Sequence, residues 1–129
     1  MIVEWLRNQL DPWREARWIG KILLLGIGYE RPDGQNLGRA QLWGVVSRGD
    51  PAWGVEVELK GKQLGRRMHL PPEISLFKSG RRGEYVLAGT GEIIRDPDYV
   101  ATVVLTLHDP DRAEAFDVRN PPVPGELAP

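Results

Sequence analysis

Cysteine is missing from this chain of 129 residues, so no disulfide and no thiolate metal site can form. That absence suits a reducing compartment. An excess of charge of one sign is missing too: 17 Lys and Arg stand against 18 Asp and Glu. The resulting net charge of −1 gives no global pull toward nucleic acid or anionic lipid. Long hydrophobic runs are missing as well. The apolar stretch at residues 18–29 is about half of the roughly 20 residues a spanning helix needs, and Lys21 interrupts it. The start, Met1-Ile2-Val3-Glu4-Trp5, carries an acid where a secretory leader is basic. These absences lead to the expectation of a cytoplasmic protein with no membrane partner.

What is present suits one folded unit. Hydrophobic residues make up 41% and charged residues 27%, which argues against a disordered chain. The expected division is a β-rich domain over residues 1–119 and a Pro-rich extended tail over 120–129, where Asn120-Pro121-Pro122 and Pro124-Gly125 break regular structure.

Ile2, Leu6, Leu10 and Trp13 recur at helical spacing, so residues 2–10 are expected as an amphipathic helix, stopped or restarted at Asp11-Pro12. From Trp18 the period changes. Ile22 to Leu25 reads as a buried strand, and residues 39–48 read as the next. Residues 53–60 alternate cleanly, with Trp53, Val55, Val57 and Leu59 on one face. Met68 and Leu70 point inward from a shorter piece that Pro71-Pro72 ends. Residues 84–94 are expected as one strand with a bulge or sharp coil at Gly89-Thr90-Gly91. Residues 99–107 give the clearest strand, expected at the sheet's centre, with Tyr99, Ala101, Val103, Leu105 and Leu107 inward. Asp109-Pro110-Asp111 begins a short C-terminal helix. The fold expected is mainly β: an antiparallel barrel or sandwich of about five to seven strands, with an N-terminal helix and a short C-terminal one.

No catalytic signature is visible, and no cofactor is called for. Gly26-Ile27-Gly28 lacks the third glycine of a dinucleotide fingerprint, and Gly89-Thr90-Gly91 lacks the Lys-Ser/Thr sequel of a phosphate loop. Histidines number only 2. His108 stands beside Asp109 and Asp111, and His69 beside Arg67 and Glu73; either can serve a small hydrolase or metal site, a third-ranked reading. The simpler reading makes Asp109 a helix cap and His108 a strand-end residue.

Residues 60–85 carry seven Lys and Arg against Glu73 and Glu84. Arg66, Arg67, His69, Arg81 and Arg82 are the candidate anion-binding residues, for a phosphate or single-stranded nucleic acid. Against this, each Arg pair follows a glycine, as in a solvated turn, and a near-neutral chain is unlike a dedicated nucleic-acid binder. The 5 Trp point elsewhere, because Trp is enriched where proteins meet; Trp5, Leu6 and Trp13 are the candidate interface. The preferred reading is a non-enzymatic binding domain with a protein partner, or a homodimer; nucleic-acid binding through residues 60–85 is the alternative.

Overall fold

The computed structural model describes residues 18–73, 76–114 and 116–127. The expected helix at residues 2–10, with Trp5, Leu6 and Trp13, lies outside the described residues.

Among the described residues eight strands follow one another: β1 (Ile22–Glu30), β2 (Asn36–Asp50), β3 (Gly54–Leu59), β4 (Arg67–Leu70), β5 (Lys78–Ser79), β6 (Glu84–Val86), β7 (Ile93–Arg95) and β8 (Tyr99–Thr106). A 3-10 turn, Gly61–Gln63, joins β3 to β4, and a short helix α1, Pro110–Glu114, follows β8. The larger sheet has six strands in the order β4-β3-β2-β1-β8-β5; β6 and β7 form a separate hairpin.

The mainly-β expectation holds, as does the short C-terminal helix. The antiparallel barrel or sandwich is replaced by a mixed sheet that does not close. Strand β8 runs parallel to β1, from Leu23↔Tyr99 to Glu30↔Thr106. The turn before β8 explains this. Asp98 donates its backbone N–H to Ile22 O and accepts the Ile22 N–H on Oδ2, so β8 starts where β1 starts. Alternating residues look the same in parallel and antiparallel strands, so their pattern does not fix direction. Nor is β8 central. Its outer side pairs with β5 only at Tyr99 and Val100.

The expected single strand at residues 84–94 is the β6–β7 hairpin. Gly89 and Gly91 have φ of 94° and 74°, in the left-handed region that glycine tolerates, and the chain reverses there instead of bulging.

The sheet separates two apolar clusters. On one face Leu23, Leu25, Ile27 and Tyr29 of β1 meet Leu42, Val46, Val55, Val57, Leu59, Met68, Leu70 and Ala101. Trp18 joins them, stacked on Tyr99 and edge-on to Phe77. On the other face Leu24 packs with Leu87 and Ile94 from the hairpin, beside Trp43, Tyr85 and Val100.

Residues 120–127, expected as an extended tail, lie against the sheet. Pro121, Pro122 and Val123 are buried. The Tyr29 hydroxyl donates to Pro122 O, His69 N–H to Pro124 O, and Leu127 N–H to Arg67 O. The segment thereby follows the free side of β4, satisfying main-chain groups that an edge strand leaves open.

Candidate binding surface

The two Arg pairs lie on different elements and have different surroundings. Arg66 precedes β4 and is engaged at every nitrogen: Nε donates to Glu126 at 2.8 Å, Nη1 to Gln63 at 2.7 Å and Nη2 to Pro121 O at 2.8 Å. Arg67 pairs with Glu56 at 3.4 Å. Their expected exposure as solvated turn residues does not hold, because both chains fold back onto acceptors of the fold itself. Arg81 and Arg82, between β5 and β6, are exposed as expected.

His69 stacks on Trp53, with ring centroids 4.1 Å apart, and its Nε2–H donates to Trp53 O. His108 opens on a pocket of about 420 Å³ with Asp109, Arg112 and Glu126. His69 does not line that pocket, and its ring is turned to Trp53. Among the described residues no three His, Asp or Glu side chains come together as metal ligands do.

Three of the tryptophans are accounted for by packing. Trp18 is buried, Trp43 leans on the smaller cluster, and Trp53 lies between His69 and the Arg48 guanidinium, 4.3 Å from its ring centroid.

Sequence reasoning places no site on β8, yet among the described residues its outer side pairs with a strand only at its start, and further along it shares a pocket of about 350 Å³ with Leu70, Pro71, Glu73, Leu76 and Pro124. Successive residues of a strand turn their backbone groups to opposite sides. Leu107 N–H donates to Glu30 O, and Gly80 N–H to Asp98 O. These two bonds set the phase: Ala101, Val103 and Leu105 face β1, whereas Thr102 and Val104 direct N–H and C=O away from the sheet. Beyond Val100 this side has no strand partner among the described residues. The strand carries no charged side chain, and Val104 is 65% exposed. A sequence signal was there: nine uncharged residues, 99–107, without Lys, Glu or Pro to block pairing.

Beside this edge, on the face with the smaller cluster, the sheet dips into a trough of about 370 Å³. The cross-strand register explains it. Trp43, Leu24 and Val100 form one row, and the hairpin covers them. The next rows are Gln41–Gly26–Thr102 and Arg39–Gly28–Val104, so the middle strand contributes no side chain. Ala88 of the hairpin loop closes the near end, its N–H donating to Gln41 Oε1 at 2.6 Å.

Compared with known protein families, with curated proteins and with solved structures, the chain matches none. Among the described residues no helix is long and apolar enough to cross a membrane.

Proposed function

We propose that this protein is a non-enzymatic binding domain that works through a protein interface, and that the outer edge of β8 receives an extended segment of the partner as an added strand. The observation that carries this reading is the uncharged edge at Thr102 and Val104, whose main-chain groups point outward. Main-chain bonds give such an added strand its affinity, and side chains at alternate positions give it specificity. The pairing of β4 with residues 124–127 adds support, since that edge has main-chain partners and Thr102 and Val104 have no strand partner on their outer side among the described residues. Trp5, Leu6 and Trp13, outside the described residues, stay part of the proposed interface.

Nucleic-acid binding through residues 60–85 has less support, because Arg66 and Arg67 already donate to internal acceptors. A hydrolase reading has less still, with His69 Nε2 engaged by a backbone carbonyl.

The test is a display library of eight-residue peptides selected on the wild-type protein. Binders are expected to alternate apolar residues and to lose at least tenfold in affinity on Thr102→Pro and on Val104→Lys. Proline takes away the outward N–H of Thr102, which has no strand partner among the described residues, and the lysine sits on an exposed position, so both variants are expected to stay folded, which their melting curves check. Selected peptides that bind both variants as well as wild type would overturn the proposal. Tight binding of a single-stranded oligonucleotide at physiological salt, lost on Arg81→Glu/Arg82→Glu, would favour the nucleic-acid reading instead.

A further inference from the structure

Glycine in a strand has either a backbone reason or a space reason. Gly26 and Gly28 have no backbone reason, since neither has positive φ. Nor does the fold crowd them. A Cβ on Gly26 would meet Thr102 Oγ1 at 3.7 Å and one on Gly28 would meet Val104 Cγ2 at 4.0 Å, ordinary contacts. Gly44 of β2 shows the opposite case, with Glu58 O only 2.4 Å from an added Cβ. Strand glycines of the first kind mark places where another group approaches the backbone closely.

The trough over Gly26 and Gly28 has a definite chemistry. Its floor is flat peptide backbone, and its flanking strands stand about 10 Å apart, two strand spacings. Its β8 wall is Thr102 and the Val104 isopropyl group. Its β2 wall carries donors. The Gln41 Oε1 is taken by Ala88 N–H, which leaves the amide NH2 to donate. Arg39 is exposed and takes part in no ion pair among the described residues. A planar apolar group shields a glycine floor from water, and a carboxylate answers a guanidinium and an amide on one side.

We infer that this trough is a binding site for a small aromatic carboxylic acid, its ring lying on Gly26 and Gly28 and its carboxylate directed to Arg39 and Gln41. The two sites share Thr102 and Val104 but use different groups: the trough uses their side chains, and strand addition uses their outward main-chain groups.

The probes are indole-3-carboxylate and, as its uncharged counterpart, indole, titrated into 15N-labelled protein. The expected result is saturable shifts confined to the amides of Gly26, Gly28, Arg39, Gln41 and Thr102, with the carboxylate bound at least tenfold tighter than indole. Arg39→Gln should remove that preference and keep indole binding. Gly28→Val should abolish both while the variant stays folded, because valine suits a strand and its Cβ meets only an ordinary contact with Val104. Equal affinity of the two probes for wild type, shifts centred elsewhere, or undiminished binding by a folded Gly28→Val variant would overturn the assignment. Because Arg39→Gln changes a surface side chain, it tests the charge requirement even if valine disturbs β1. Strand addition is read separately, through peptide binding by Gly28→Val, which fills the trough and leaves the main-chain groups of β8 in place, so either idea can fail alone.

Discussion

Glycine does two opposite things within neighbouring strands. At Gly44 a methyl group would stand 2.4 Å from Glu58 O and 2.7 Å from Val57 Cγ1, so β2 and β3 approach each other only because it is absent. At Gly28 the space above the backbone is open. Gly44→Ala is therefore expected to lose about 1–3 kcal/mol in chemical denaturation, the usual cost of overpacking. Gly28→Ala should be neutral or gain up to about 1 kcal/mol, because alanine restricts the unfolded chain. Equal effects at the two positions would show that the space reading is mistaken. Asp50 supplies a second residue-scale expectation. Its carboxylate accepts the backbone N–H groups of Trp53 and Ala52 in the turn after β2, which holds it below the usual carboxylate range. A lowered folded value means that its stabilisation is present above the unfolded value, about 3.9, and fades as pH falls through the folded one. The gap in melting temperature between wild type and Asp50→Ala should thus be constant from about pH 5 to 7 and narrow below about pH 4. A gap that widens in acid would contradict this.

At the scale of elements, the C-terminal segment is the part that behaves least like its sequence. Arg66 holds it through Pro121 O and Glu126, the Tyr29 hydroxyl through Pro122 O, and Val123 sits in the main cluster. Burial of the phenol raises the Tyr29 pKa, so this hydroxyl keeps its proton and goes on donating in mild alkali. Arg66→Ala should lower stability by about 2 kcal/mol, since it removes charge-assisted bonds from a side chain only 19% exposed. Removing residues 120–129 should cost more, by at least the about 1.5–3 kcal/mol of burying Val123, and should bare the β4 edge. An unchanged melting temperature in the truncated protein would contradict the docked arrangement. Proline richness did not reveal this segment's place, because proline fixes local backbone and says nothing about what a segment lies against. The strands, by contrast, were legible wherever one face is buried. Val55, Val57 and Leu59 alternate in sequence and are buried in the fold. Strand direction was not legible at β8, where a parallel and an antiparallel neighbour bury the same residues. The hairpin at residues 84–95 was misread because Gly-Thr-Gly fits a bulge as well as a reversal. The trough was missed for a related reason. In the sequence Gly26 and Gly28 resemble only part of a dinucleotide fingerprint, and what they leave empty shows only once Arg39, Gln41, Thr102 and Val104 stand beside them.

At the scale of the whole molecule, the two sides of the larger sheet are treated differently. The β4 side is paired with residues 124–127, and among the described residues the far side carries β5 for two residues only. Most of β8 is therefore an edge, uncharged and bearing the exposed Val104. The proposed function rests on that asymmetry, and amide hydrogen exchange tests it most directly. In the free protein the Ala101, Val103 and Leu105 amides, bonded to β1, should exchange slowly, and those of Thr102 and Val104 on the same strand should exchange orders of magnitude faster. A selected peptide should slow Thr102 and Val104 and leave the other three as they were. Equal protection of all five amides in the free protein would mean that the edge is already paired, and would contradict the account.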